Sequence, residues 1–554
     1  MPSILLSVLL TLSKTLPMRK IYLLLLFACA LASSNAQIVS LNPATAGSED
    51  LATLTFDATA GNGELEGANK VYIHHGVVTD KPDGTDWKYV IGNWGQDDGV
   101  GEMTKVSGET DKWEISLSPS IREYFNVPNG TNVFRISCVF RSEDGSTKGT
   151  IASGDYGWGS VSSTGDIYLD LNLSNFVSFT SPGNLITYTT IGELIDFTAS
   201  ASADVSDMRL YIDKNDGNGF KEMAVVTAGK TISYSYKAEN TEFIKLKVTA
   251  TMGGEDVEAS SSHNIVITGA TKKAALPTGM VAGINYHEDD DSKVTLVLQA
   301  PNKDFAYVVG DFSDWNVLDK FQMNQTLNGE YFWIELSGLE AQKPYVFQYW
   351  VEEDVKIGDP YAEQTADPWN DQWIDEETHP NIPKYTKTSY QYATVLETGQ
   401  EAYEWAATED TWERPDVDHL VIYELLVRDF LESHSYIDLI DTLSYLKRLG
   451  VDAIELMPIG EFEGNESWGY NPAYHMAPDK YYGTKEELKH FIESAHEMGF
   501  AVILDMVLNH AYGQHPLVKL YWDQSSGKPA ADNPWFNQEH VGPFDWGYDF
   551  NHES

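Results

Sequence analysis

The last quarter of the chain alternates three unbroken apolar runs with two amphipathic segments, and few architectures accept that pattern. The runs are His419 to Val427, Val451 to Pro458 and Ala501 to Val507. Each is short and continuously apolar, as expected of a strand buried on both faces. Between the first two, Ile437, Ile440, Leu443 and Leu446 are predicted to share the inner face of a helix, with Gly450 as its C-cap. Before the third, Thr484-Lys485-Glu486-Glu487 reads as a capping box, opening a helix that buries Leu488, Phe491, Ile492 and Ala495. Strand, helix, strand, helix, strand implies a parallel α/β arrangement. In a parallel barrel, chemistry gathers where strands end. That rule brings Tyr423, Arg428-Asp429, Trp468 to Pro472, Asp505, Asn509 and His510 to one mouth. Aromatics, an acid and an imidazole suit a neutral polyhydroxyl ligand.

Upstream, the apolar period falls to two. Residues 37–172 carry "KVYIHHGVV", "DKWEISLS" and "TNVFRISCVFR" between Gly/Asp/Asn turns and are predicted to form a β-sandwich. Trp87, Trp94 and Trp113 are candidates there for packing on the apolar face of a sugar ring, or for the core. Residues 173–269 read as an immunoglobulin-like sandwich without chemistry of its own, and "ATKKAALPTG" marks a linker. Residues 270–390 form a third β segment whose strands close on Gly310 to Asn316, with Trp315 near the tip, and residues 391–554 are the α/β part.

Charge narrows the partners. Lys and Arg total 37 against 83 Asp and Glu, a formal net charge of −46, which repels nucleic acid and anionic lipid. The same charge also serves solubility alone. Residues 1–36 read as a targeting leader: Met18-Arg19-Lys20, an apolar stretch too short to span a bilayer, and the small-x-small Ser34-Asn35-Ala36. Export, in a bacterial cell envelope or beyond it, is the expectation, with no transmembrane helix in the mature chain. Cys29 offers a lesser alternative, a lipid anchor. Removing the leader leaves Cys138 alone, so no internal disulfide is possible.

Two stretches resemble known families. "KVTLVLQAPNKDFAYVVGDFSDWN" resembles carbohydrate-binding module family 48, an early-set domain that precedes the barrel of α-glucan branching and debranching enzymes. "WGYNPAYHMAPDKYYGTKEELKHFIESAHEMGFAVILDMVLNH" resembles the first barrel strands of the α-amylase superfamily, glycoside hydrolase family 13. Asp505 to His510 matches its D-x-V-x-N-H motif, and Gly469 to Pro472 its strand-two loop. The resemblance implies a multidomain chain, β-sandwich modules followed by about three βα units of a TIM (β/α)8 barrel. It also implies an exported α-glucan hydrolase or transglycosylase acting by retaining double displacement. By resemblance, Tyr470 stacks on the sugar, Asp505 organises its hydrogen bonds, His510 bonds hydroxyls, and Trp468 shares the substrate loop; Trp315 is a possible glucan contact. Asn509 matches a calcium-ligand position, yet it is one donor where Ca²⁺ takes about six to eight.

The family's nucleophile lies in G-x-R-x-D on strand four, its acid is a Glu on strand five, and a further Asp sits in N-H-D. Neither G-x-R-x-D nor N-H-D occurs in the chain. The expectation is therefore an incomplete barrel, with the catalytic carboxylates beyond Ser554 and no hydrolysis by these residues alone. The alternative is a non-catalytic protein whose β modules bind starch or a related glucan.

Overall fold

The computed structural model describes residues 38–553 apart from 129–130, 151–159, 162–164, 173–174, 270, 354, 386–390 and 543–545. Residues 1–37, which include the expected leader and Cys29, lie outside the described residues. The chain groups into two compact units. One takes Met1–Leu185, Ile195–Tyr236 and Ile244–Ser262; the other takes Ile186–Leu194, Lys237–Phe243 and His263–Ser554.

In the first unit, Ala52–Asp57 alternates buried and half-buried residues at every step, as a sheet wetted on one face requires. It pairs antiparallel with Val39–Asn42 and Lys112–Leu117, while Tyr72–Val78 pairs with Arg135–Arg141 in a second sheet. Leu54, Phe56, Ile73, Val77, Ile136 and Phe140 share one core, where the Phe56 and Phe140 rings stack at 3.9 Å. Trp113 is in register with Phe56 and only 3% exposed, so it packs the core and offers no sugar face. Further on, Asp207–Asp213 alternates in the same way within an antiparallel ladder.

In the second unit, Lys293–Gln299 lies between Gly283–Tyr286 and Tyr331–Ser337, and a second sheet holds Ala306–Gly310, Pro344–Val351 and Ala393–Glu397. The boundary expected at 390 thus falls one strand early. Ala393–Glu397 pairs with Pro344–Phe347 on one side and with the short Thr365–Ala366 strand at the sheet edge on the other.

The α/β part follows: β1 (Ile422–Leu425), β2 (Ala453–Leu456) and β3 (Ala501–Leu504) are parallel and in register, Leu425 beside Leu456 beside Leu504. Helix α1 (Tyr436–Leu449) leads into β2 and ends at Gly450 with φ 82°, a left-handed cap. Helix α2 (Lys485–Glu497) starts at the capping box, both of whose hydrogen bonds are present. The inner face of α1 differs from expectation. Tyr436, Leu439, Leu443 and Leu446 are buried and Ile437 is exposed. Residues spaced by three lag a 3.6-residue turn by about 60° each, whereas alternating steps of three and four hold one face.

The outer strands differ too. β1 was expected to be buried, yet Val421 and Ile422 are about half exposed, as are Leu504, Met506 and Leu508 along and beyond β3. Among the described residues β1 and β3 each have one strand neighbour, so their outer edges are open.

Candidate functional site

The in-register strands bring three loops to one end. The loop after β2 is long and braced at its base. Glu461 N–H donates to the Ala477 carbonyl at 2.8 Å, Phe462 N–H to Asp479 Oδ2 at 3.1 Å, and Asn471 Nδ2 to the Glu463 carbonyl at 2.9 Å. Its crest is Trp468-Gly469-Tyr470. Gly469 has φ 90°, and a Cβ there would lie 2.2 Å from the Pro458 carbonyl oxygen, so no other residue fits without moving the loop. Gly469→Ala is expected to cost about 2 kcal/mol, read from the urea unfolding midpoint. An unchanged midpoint would mean that the crest is free to shift.

The crest meets the end of β3. Tyr470 donates its phenol to Asp505 Oδ2 at 2.6 Å. That bond, then burial, then the negative charge of Asp505, Glu424 and Glu455 raise the phenol pKa above the ordinary value, so the hydroxyl stays protonated and the bond persists. Asp505 N–H donates to the Leu456 carbonyl at 2.9 Å, which prolongs the β2–β3 ladder and fixes the carboxylate's origin.

His510 sits differently from expectation. It is 4% exposed, its Nε2 donates to the Tyr470 carbonyl at 2.9 Å, and Nδ1 is buried without a hydrogen-bond partner among the described residues. It therefore ties the β3 loop to the crest from beneath and has no surface for a sugar hydroxyl. His475 acts alongside, its Nε2 donating to the Val507 carbonyl at 2.8 Å. Trp468 is 60% exposed, an indole beside Tyr470.

Two residues escaped the sequence reading. Glu424 and Glu455 are register partners on β1 and β2, and both lower the potential at the Tyr470 phenol. Their signal was an acid in the middle of an apolar run, twice before Leu. The mouth thus carries Glu424, Glu455 and Asp505 around one phenol, acceptors suited to hydroxyl donors and hostile to phosphate.

Residues 436–554 match the family described as alpha amylase, catalytic domain. This part of the chain belongs to the α-amylase superfamily. Residues 39–148 match a domain of unknown function, DUF8578. The malto-oligosyltrehalose trehalohydrolase of Saccharolobus solfataricus is 38% identical over 135 residues, 24% of this chain and 22% of that protein. The 1,4-alpha-glucan branching enzyme of Pseudoalteromonas atlantica is 28% identical over 226 residues, 38% of this chain and 28% of that protein. A pullulanase structure from Paenibacillus barengoltzii is 21% identical, with a TM-score of 0.32, over 42% of this chain and 39% of that one. The chain spans about a fifth of the length of the trehalohydrolases it matches.

Within the amylase-type part, Arg428 pairs with Asp429 at 2.7 Å, and Tyr423 packs edge-on against Phe430 at 5.9 Å. The one Arg-x-Asp triplet, Arg414-Pro415-Asp416, precedes β1 and has Trp412 where the superfamily motif has Gly. Asn509, the position matched to a calcium ligand, is exposed, Asp549 accepts from Asn537 Nδ2 at 2.7 Å, and among the described residues no three His, Cys, Asp or Glu side chains gather.

Of the module tryptophans, Trp94 is exposed and Trp87 half-buried. They flank His74 at 5.8 and 6.0 Å, and Trp87 Nε1 donates to the Tyr168 hydroxyl at 3.2 Å. Trp315 is half-buried, with φ 61°, its ring 5.0 Å from Tyr385 and its Nε1 donating to Asp311 at 3.0 Å.

Proposed function

We propose that this chain is the N-terminal portion of an exported α-glucan hydrolase or transglycosylase of the α-amylase superfamily, acting by retaining double displacement in the whole protein. The observation that carries this is the Tyr470–Asp505 pair at the ends of β2 and β3, held from below by His510. In this role the Tyr470 ring packs on the C–H face of a glucose unit, with Trp468 beside it. Asp505, its orientation set by the phenol, accepts from a sugar hydroxyl. His510 positions Tyr470. Residues 270–397 would act as the family 48-type module that packs on the barrel, and Trp87, Trp94 and Trp315 as its and the first sandwich's glucan contacts.

A retaining glycosidase needs two carboxylates about 5 Å apart as nucleophile and acid. We assign both to barrel strands outside these residues. The open edges of β1 and β3, lined by Ile422, Leu504, Met506 and Leu508, support strands that cover them. Nucleic acid is no partner in this account. Among the described residues no helix is long and apolar enough to cross a membrane.

The test is reducing-sugar release from soluble starch and maltodextrin by the gene product with any coding sequence beyond codon 554. Asp505→Asn is expected to lower kcat/KM about 100-fold. Sugar release by residues 37–554 alone would overturn the assignment of the carboxylates. Starch binding with neither sugar released nor glucan linkages or chain lengths changed by either protein would favour the glucan-binding alternative.

A further inference from the structure

A cleft of 1120 Å³ opens where the third sandwich meets the excursion after β3, and neither Tyr470 nor Asp505 lines it. One wall carries Asp304 and Glu352, the other Lys519, Trp522, Asp532 and Tyr548. The floor is built rather than left over from packing. Leu520 and Tyr521 join the core of the sandwich, the Tyr521 hydroxyl donates to the Pro301 carbonyl, and the Lys303 ammonium lies 4.7 Å over the Tyr521 ring while pairing with Glu352 at 3.0 Å.

The lining selects its ligand. Pockets for compact small molecules span about 300 to 1,000 Å³, so this one is large for a single sugar and suits an extended chain of them. Asp304, Glu352, Glu353 and Asp532 outnumber Lys303 and Lys519, and Lys303 is already paired, so an anionic ligand is disfavoured. Trp522 and Tyr548 meet edge to face at 5.4 Å, and both remain partly uncovered. Rings beside carboxylates fit sugar: C–H faces pack on the rings while hydroxyls donate to the acids. Lys519 adds an ammonium with no hydrogen-bond or ion-pair partner among the described residues. Burial, opposed by the charge of Glu463, brings its pKa down to about 8.

We propose that this cleft binds a neutral oligosaccharide of the α-glucan type, with Trp522 and Tyr548 packing on sugar faces and the Lys519 ammonium donating to a hydroxyl. The α-linkage rests on the function proposed above; the site itself rests on the cleft. An amine with a lowered pKa acylates readily near neutrality, which gives a direct readout. The full chain is treated with acetic anhydride at pH 7.5, and Lys519 modification is followed by peptide mass spectrometry with maltohexaose, with cellohexaose or with neither. Maltohexaose at ten times its Kd is expected to slow Lys519 modification about tenfold, with exposed Lys221 unaffected. Trp522→Ala is expected to abolish the protection, with the variant assayed without urea at a temperature where its circular dichroism matches the wild type, because Trp522 also packs on Phe536 and its neighbours. Unchanged Lys519 reactivity with maltohexaose, or protection that survives Trp522→Ala, would overturn the site. Equal protection by cellohexaose would overturn the α-glucan assignment. Because the readout is lysine reactivity, it fails independently of sugar release.

Discussion

Replacing Lys480 with methionine is expected to destabilise the second unit by about 3 to 5 kcal/mol, the cost of removing one partner from a buried ionic cluster. Lys480 is 3% exposed, and its ammonium donates to Thr365 Oγ1 at 2.7 Å and to Glu461 Oε1, with Asp371 at 3.3 Å. Burial alone would strip its charge, but the carboxylates of Asp371, Glu461 and Asp479 more than offset that, and the pKa lies above the ordinary lysine value. One cation faces three acids, so burial raises the Glu461 and Asp479 carboxyls. Without the ammonium, Glu461 has neither water nor a counter-charge. Its Oε2 is already unpartnered. Urea unfolding of Lys480→Met measures the loss, and Lys480→Met with Glu461→Gln is expected to recover part of it, because the stranded charge is gone. A double variant no more stable than the single one would locate the cost in packing instead. The cluster matters to the site because Glu461, Asp479 and Lys480 form the base of the loop that lifts Tyr470 to Asp505. Under the function proposed above, the same variant is also expected to weaken glucan binding.

What could be read along the chain was whatever local geometry decides. The Thr484–Glu487 box and the Gly450 cap involve residues within one turn, and both formed as expected. The phase of α1 is not legible locally because Ile437 and Ile440 are as apolar as Leu439, and only packing on β2 and α2 discriminates among them. Covalent neighbours likewise said nothing about the exposed edges of β1 and β3, since a run of Val and Ile looks the same whether or not another strand covers it. Trp113 looked like Trp87 and Trp94 until its register opposite Phe56 was visible. The Tyr470–Asp505 bond joins residues 35 apart and was reachable through family resemblance, whereas the Lys480 contact to Thr365 spans 115 residues and left no trace in either segment. His510 shows the limit of resemblance: the motif placed it at the mouth, and its burial makes it a support.

Asp359→Asn is expected to flatten part of the pH dependence of stability, by about 2 kcal/mol between pH 4 and 6.5. Asp359 is fully buried where the third sandwich meets the loop after β2, next to Gly358, whose Cβ position is closed by the Tyr474 hydroxyl. Its Oδ2 accepts from the Tyr349 hydroxyl at 2.7 Å and its Oδ1 from the Tyr361 amide at 2.8 Å. These bonds favour the charged form, but burial outweighs them and pushes the carboxyl from 3.8 up to about 6. Between those values the folded chain holds a proton that the unfolded chain has released. The stabilising contribution is therefore complete below 3.8 and is lost as pH rises through about 6. Asparagine keeps an acceptor for the Tyr361 amide and offers an amide hydrogen to the Tyr349 oxygen, with no proton to lose. The chain's many other carboxylates titrate in both proteins, so the difference between their unfolding free energies isolates this one group. Wild type is expected to lose stability relative to the variant across that window, and curves that stay parallel would place the buried proton elsewhere.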